Sequence, residues 1–440
     1  ALSDGMLKER NEKVINEQLS HIQLHNQDFY NNPKIKDTIY NVSEVIETLD
    51  KRNDIDKYTT RLKFLGMINS ARSSQGVMIT GISPEEEKNV TTIYKYMIDS
   101  SSSYLTPEST NEIIISTKVA QTLMLVYYEF NQKCADALLE INFDPEILAK
   151  LNVISDISMR SKNSFKDSLR KYFNSEEYEK YADMLTEQST QYRINKKVIL
   201  KFNNANGDFV SEAFKVVGIF KTSDAMFDNM NVFVNKEYIA KLMEVPVSTA
   251  TEIAIITNDL ENVVGIVGEL DEELAGVLVE SYIDLDPISM YQGDFIEIFY
   301  NILIAFILFA LSFGIINTVL MSVMERTKEI GMVMAIGMKK GRIFLMIMYE
   351  SIMISLTGGV VGMILGAAIS LYFGKVGIDI SGYSSAMESF GISTVMYPRL
   401  SMSFFVGITI LVVLTGILSA IYPAKRALKL NPSEAIRSDA

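Results

Sequence analysis

The chain has 440 residues, of which 48% are apolar, and a formal net charge of −13. This apolar fraction is high for a wholly soluble protein, so membrane segments are expected, and the length allows two or three domains. The negative charge argues against a nucleic-acid partner, because proteins that bind phosphate backbones carry a surplus of Lys and Arg. The single cysteine, Cys134, has no Cys or His at metal-ligand spacing, and we interpret it as a small buried side chain.

The N-terminal region predicts a helix followed by a strand. Residues 1–20 favour the helix, and the next stretch, SHIQLHN, alternates between apolar and polar residues. Ile22 and Leu24 then face a core, whereas His21 and His25 lie on the other face of a half-buried strand. Because no carboxylate or Cys is nearby in sequence, we expect that face to be solvated and not to bind a metal.

Residues 21–297 predict an α+β domain with a helical insertion. NPKIKDTIYNVSEVIETLDK favours a helix and then a strand, and TEIAIITNDLENVVGIVGELDEELAGVLVESYIDL favours strand, helix, strand. VILKF and FKVVGIF, joined by NNANGDFVSEA, predict a hairpin, and residues 118–193 predict the helical insertion. The carboxylates of Glu85–Glu87 and Asp271–Glu273 are typical of acidic helix starts.

Three long apolar stretches predict transmembrane helices, at residues 298–324, 343–374 and 400–424. About 20 apolar residues suffice to cross the hydrocarbon core, and a soluble helix rarely stays uncharged for so long. Glu350 lies about two turns from Arg342, so we expect it to reach the cytoplasmic interface.

Glycines recur every four residues within the second predicted span, at Gly358, Gly362 and Gly366. In lipid, small residues at this spacing let two helix backbones approach closely. The pattern predicts helix packing, either in a moving transport bundle or in a static one.

The distribution of Lys and Arg predicts the orientation of the spans. Residues 325–342 and the tail at 425–440 are rich in basic residues and are therefore expected in the cytoplasm. The loop at 375–399 and everything before residue 298 then lie outside. The opening ALSDGMLKERNEKV lacks the basic and apolar regions of a signal peptide, so we expect a cleaved signal or an anchoring first transmembrane helix to precede it.

No catalytic motif is present. GxxxxGK[ST], HExxH, GxSxG and Cys/His clusters are all missing from the sequence. The sequence therefore predicts a non-catalytic chain without a cofactor or metal of its own.

Two long stretches carry a family resemblance. The run ERTKEIGMVMAIGMKKGRIFLMIMYESIMISLTGGVVGMILG and the run YPAKRALKLNPSEAIR resemble ABC transporter permeases of the MacB/FtsX superfamily. The resemblance implies that the first part of the 325–342 loop is a cytoplasmic coupling helix that docks on a separate ATPase subunit, where ATP and Mg²⁺ would bind. The residues implied in this coupling are Glu325, Arg326, Thr327, Lys328, Glu329, Ile330 and Gly331.

The N-terminal half is most similar to the lipoprotein-releasing, Lol-type permeases. The matching segments are ALSDGM, SHIQLHN, the Asn32-Pro33 pair, GVMITGISPEEE and FKVVGIFKTSDAMFDNMNVFV. The resemblance implies a MacB-like periplasmic domain with Porter-like and Sabre-like lobes, and a first membrane helix before ALSDGM. The insertion at 118–193 is longer than in that family. The hairpin near 203–212, where one family member carries a carrier-binding hook, is short and lacks proline, which points to a partner permease for carrier capture.

The resemblance also implies the function and the partners. The chain would be a multi-pass protein of a bacterial inner membrane that extracts lipoproteins, using an ABC ATPase dimer and a second permease, identical or homologous. Lipoproteins, membrane lipid and a periplasmic carrier would be its other partners. The residues expected to contact lipid or substrate share one helical face and are Phe299, Ile302, Phe306 and Phe309. Two alternatives stay open: MacB-like mechanotransmission in efflux, and FtsX-like control of a cell-wall hydrolase.

Overall fold

The computed structural model separates the chain into two compact units, Glu12–Asp286 and the helices from Pro287 onward. The residues described are 11–27, 37–98, 102–140, 143, 145–151, 153, 155, 157–379, 395–398, 400 and 402–429. ALSDGM, Asn32-Pro33, and most of the 375–399 loop and of the tail lie outside them. The first unit is an α+β domain and the second contains long apolar helices, so the predicted fold class is confirmed.

The first unit, called the sheet domain below, contains eleven of the described strands. They are β1 (Ile22–Asn26), β2 (Ile55–Asn69), β3 (Ser74–Ile82), β4 (Glu112–Ser116), β5 (Val126–Tyr128), β6 (Thr190–Tyr192), β7 (Lys197–Asn203), β8 (Phe209–Phe220), β9 (Asn231–Asn235), β10 (Glu252–Thr257) and β11 (Val277–Ser281). The predicted VILKF–FKVVGIF hairpin is β7–β8, and its turn contains Gly207 with a φ of +92°.

The described helices are numbered in the same way. In the sheet domain they are α1 (Val42–Asp50), α2 (Pro84–Val90), α3 (Thr117–Thr122), α4 (Gln132–Glu140), α5 (Pro145–Leu151), α6 (Lys162–Tyr172), α7 (Ser175–Gln188), α8 (Ala225–Met230), α9 (Lys236–Met243), α10 (Val263–Glu273) and α11 (Tyr282–Leu285). In the second unit they are α12 (Pro287–Glu325), α13 (Thr327–Ala335), α14 (Lys340–Val376) and α15 (Met402–Ala427). A π-helical segment, Ile15–Leu19, precedes β1, and a 3₁₀ turn spans Ile93–Tyr96.

Strand β2 belongs to two parts of the main sheet. Up to Arg61 it pairs with β10, which continues through β1 to β11. From Leu62 it pairs with β3, and the order β3-β9-β4-β8-β7 returns to β2 through the pairing of Met67 with Lys201. Six strands therefore form a closed ring, which removes exposed edges, and the other three strands of this sheet, β10, β1 and β11, form an open layer beside it.

Each part of the sheet has its own core. Inward side chains of the ring, such as Phe64 and Phe214, pack with residues of α3 and α9. One face of the open layer packs on α1 and α10. The predicted strand-helix-strand unit is thus confirmed as β10-α10-β11, but the strand predicted in VSEVIETLD is wrong. That segment is α1, because its buried residues Val42, Val45 and Leu49 follow helical spacing.

The insertion forms a separate small core. Helices α4 to α7, together with the β5–β6 pair, bury Phe165, Leu169 and Leu185. Cys134 belongs to this core and is 5% exposed, so its interpretation as a buried side chain is confirmed. The insertion is mainly helical because its apolar residues recur every three or four positions.

Candidate coupling and substrate-contact sites

Three of the described helices are long and apolar enough to cross a membrane, by length and composition. They are Ile298–Glu325, Lys340–Val376 and Phe405–Ala427. Within the second unit α15 packs against both α12 and α14, and a cluster of apolar residues joins one end of the three helices to α13. That cluster includes Val323, Ile330 and Ile347.

The predicted coupling residues form the junction of α12 and α13. Glu325, Arg326, Lys328 and Glu329 are exposed, Thr327 is partly exposed, and Ile330 and Gly331 are buried. The Ile330 side chain anchors α13 against α12 and α14, while Lys328 and Glu329 are exposed and Arg326 bonds to Glu350 of α14. This arrangement suits a helix that binds another protein on its charged side, and the coupling role itself stays a prediction.

The four predicted lipid contacts are all exposed on α12. Phe299, Ile302, Phe306 and Phe309 are 56%, 51%, 70% and 65% exposed. The same helical stripe extends to Phe295 and Phe313, whose i, i+4 spacing to Phe299 and Phe309 could have shown it in the sequence. Phe309 and Phe313 stack edge to face with ring centroids 5.0 Å apart. Most described side chains of α12 are exposed, so exposure alone does not distinguish residues that contact substrate from residues that contact ordinary lipid.

The predicted glycine stripe makes no close contact with the part of the chain that the structure describes. A Cβ built at Gly358, Gly362 or Gly366 meets nothing within 4 Å. The contact between α14 and α15 instead uses a neighbouring face of small residues, in which Gly416 lies against Ser355. Packing of the Gly358 stripe against another chain stays a prediction.

Adding a methyl group at Gly416 is expected to destabilise the helix pair by about 1–3 kcal/mol, since the new Cβ would lie 2.7 Å from the Ser355 hydroxyl. Gly362→Ala is the matched control, because it gains the same helix propensity in open space. Thermal unfolding of the detergent-solubilised chain, followed by helical circular dichroism, should show a lower Tm for Gly416→Ala only. Equal Tm values for the two variants would contradict the observed packing.

A buried charged layer lies where β2 changes partners. Arg61 binds Glu87 of α2 through two hydrogen bonds, of 2.7 and 3.0 Å, and Glu252 of β10 through one of 2.6 Å. Lys63 donates to the other Glu252 oxygen at 2.7 Å. Arg61, Glu87 and Glu252 are each no more than 4% exposed. Directional bonds between buried charges thus join the ring to the open layer.

The expectation of a solvated histidine face is wrong for His25, which is 2% exposed. Helix α2 packs against β2 and β10, and the His25 ring lies against Gln23 and Glu252, next to the buried charged layer. Burial lowers the pKa of His25 to about 4, although the Glu252 carboxylate partly opposes that shift. Burial alone would raise the pKa of Glu252, but Lys63 and Arg61 hold it well below its usual range. Glu87, expected in an ordinary acidic helix start, is fully buried because it pairs with Arg61.

Two further buried carboxylates hold the loop before α8. Asp228 accepts hydrogen bonds from the Thr222 amide and hydroxyl, and Glu17 accepts from the Ser223 amide and hydroxyl. Burial raises the pKa of Asp228 to about 7, opposed by the bonds from Thr222. Among the described residues, no group of three or more His, Cys, Asp or Glu side chains could hold a metal ion.

A family model and several curated proteins match part of this chain. Residues 301–432 match the family model described as FtsX-like permease C-terminal. The macrolide export ATP-binding/permease protein MacB of Neisseria meningitidis is 38% identical over 126 residues, which cover 29% of this chain and 17% of that protein. The MacB protein of Bdellovibrio bacteriovorus is 39% identical over 126 residues, covering 28% and 16%. The chain thus spans about a sixth of the length of these curated relatives.

Solved structures also show similarity to the chain. The periplasmic region of MacB from Actinobacillus actinomycetemcomitans aligns with a TM-score of 0.32 and 11% identity, covering 66% of this chain and 98% of that one. The extracellular domain of the ABC-type transporter YknZ from Gram-positive bacteria aligns with a TM-score of 0.32 and 10% identity, covering 60% and 100%.

Proposed function

We infer from the matches to its membrane domain that this chain is an ABC-type permease of the MacB/FtsX superfamily. We propose that it extracts lipoproteins from a bacterial inner membrane. A separate ATPase dimer would supply the energy, and a periplasmic carrier would receive the product. The observation that carries the proposal is α13, a short helix anchored by Ile330 with its charged residues exposed. A second permease, identical or homologous, would complete the cavity.

The proposal sets an orientation for the chain. Basic residues flank α13 and follow α15, so both regions would face the cytoplasm and the sheet domain would lie in the periplasm. ATP and Mg²⁺ would bind in the partner subunit and supply the work. In this chain α13 would receive the movement, and α12 and α14 would pass it across the membrane.

Extraction of a lipoprotein requires such work. Each buried CH₂ group contributes about 0.8 kcal/mol to membrane anchoring, so a protein with several acyl chains does not leave the bilayer spontaneously. The aromatic stripe of α12, which runs from Phe295 to Phe313, offers an apolar surface along which acyl chains would move.

Truncating the stripe tests this role. Ile302→Ala combined with Phe306→Ala is expected to lower lipoprotein release about tenfold, because two large apolar contacts with the acyl chains are lost. The matched control is Ile307→Ala with Leu311→Ala, which removes similar exposed side chains from another face of α12. Release would be measured with the purified complex in proteoliposomes. Unchanged release by the first pair would overturn the assignment of substrate contacts.

Mechanotransmission in efflux is the second candidate, since the similar curated relatives are named macrolide export proteins. In that case the sheet domain would move to drive an export partner and would not receive lipid. Loss of the chain would then raise macrolide susceptibility and leave lipoproteins correctly sorted.

A further inference from the structure

An ion pair links the junction of α12 and α13 to the neighbouring helix α14. The Arg326 Nη1 atom lies 3.2 Å from Glu350 Oε1, and this contact is both a hydrogen bond and a salt bridge. Arg326 is the single residue between the end of α12 and the start of α13. The pair therefore lies at the point where the chain turns from α12 into α13.

Glu350 is conspicuous because of its position in the sequence. It is the only charged residue between Arg342 and Lys375, and it lies about 15 Å along α14 from Lys340. Glu350 lies about two turns from Arg342, and a carboxylate at the end of an apolar span usually reaches the interface or pairs with an opposite charge. Arg326 supplies that charge from a different helix, so the pair fixes one helix relative to another.

The backbone at Arg326 belongs to both helices that it joins. Its amide donates to the Ser322 carbonyl of α12 at 3.2 Å, and its carbonyl accepts from the Ile330 amide of α13 at 3.0 Å. A change in the angle between α12 and α13 must therefore turn about this residue. Ile330 and Ile347 pack nearby in one apolar cluster, but apolar contacts are not directional and allow sliding.

We propose that Glu350 is a positioning residue that links α13 to α14, so that movement imposed on α13 turns α14 as well. This inference rests on the proposed function, in which an ATPase moves α13. The apolar cluster holds the helices together, and the directional Arg326–Glu350 bond fixes their angle. The exposed charges of α13 would then bind the ATPase, and Glu350 would pass the movement of α13 to α14.

The first test measures the link without any partner. In the full-length chain in nanodiscs, Glu350→Gln is expected to speed amide hydrogen exchange of residues 327–335 about tenfold, because α13 loses its directional anchor. Tyr349→Phe, at the exposed neighbouring position on α14, should leave that exchange unchanged. Equal exchange in Glu350→Gln and the wild type would overturn the proposal.

The second test uses an ATPase subunit purified together with the full chain from its native cell. Glu350→Gln is expected to keep ATPase binding within about twofold and to lower permease-stimulated ATP hydrolysis about tenfold. The exchanged pair Arg326→Glu with Glu350→Arg should recover stimulation relative to Glu350→Gln, which a merely structural loss would not allow. An exchanged pair no better than the single variants would overturn the proposal, whereas a wild-type chain that neither binds nor stimulates an ATPase would overturn the proposed function instead.

Discussion

Replacing Arg61 with leucine is expected to lower the free energy of unfolding of the sheet domain by about 3–5 kcal/mol. Glu87 would lose both of its bonds from the guanidinium and keep only the 2.9 Å bond from Thr91. Glu252 would keep the hydrogen bond from Lys63 and its 4.0 Å contact with the His25 ring. Removing one partner of a buried ion pair is costly, because the remaining charge stays desolvated without compensation.

Amide hydrogen exchange of β2 and β10 in the full-length chain measures this loss directly. Arg170→Leu is the matched control, since the Arg170 side chain is 65% exposed and its ion pair with Asp167 lies on the surface. We expect the control to change protection in β2 and β10 by less than about 0.5 kcal/mol. Similar protection in the two variants would show that the charged layer does not join the ring to the open layer.

Two buried side chains, His25 and Asp228, are expected to make opposite contributions to the pH dependence of the free energy of unfolding. His25 has a pKa of about 4 in the folded chain and 6.5 as its ordinary value, so only the unfolded chain takes up its proton between these values. This group therefore lowers stability by about 3 kcal/mol as the pH falls from 6.5 to 4. Asp228 has a folded pKa of about 7 against 3.8, so the folded chain takes up its proton first. This second group raises stability by about 4 kcal/mol as the pH falls from 7 to 4.

Single variants should reveal each contribution. His25→Gln is expected to make the sheet domain more stable as the pH falls from 7 to 4, because the contribution of Asp228 is then no longer offset by His25. Asp228→Asn should make it less stable over the same range, because the contribution of His25 is then no longer offset by Asp228. Chemical denaturation of the full-length chain at several pH values, with tyrosine fluorescence as readout, gives both slopes. Parallel slopes in the two variants would contradict the burial of one of these groups.

The three long apolar helices could be predicted from the sequence because one physical requirement determines them. A spanning helix needs about 20 apolar residues, and the uncharged runs around Phe306 and Ile364 satisfy that requirement without reference to any other part of the chain. The strands β10 and β11 were predictable for a similar reason, since turn residues bound short apolar runs there.

Partners that are distant in sequence could not be predicted. Arg61 and Glu252 are 191 positions apart, and alternation within SHIQLHN cannot show that both faces of β1 are buried. For the same reason, the glycine pattern could not show which face of α14 packs against another helix. Helix α14 carries small residues on two faces, and only the position of Gly416 shows that the Ser355 face packs within the chain.

Lipoprotein extraction by this chain is tested most directly by depleting the chain in its native cell and measuring where lipoproteins are found. Inner and outer membranes would be separated and their lipoproteins quantified by mass spectrometry. Outer-membrane lipoproteins are expected to accumulate in the inner membrane. Normal sorting would contradict lipoprotein extraction, and a simultaneous rise in macrolide susceptibility or a defect in cell separation would then favour efflux or hydrolase control.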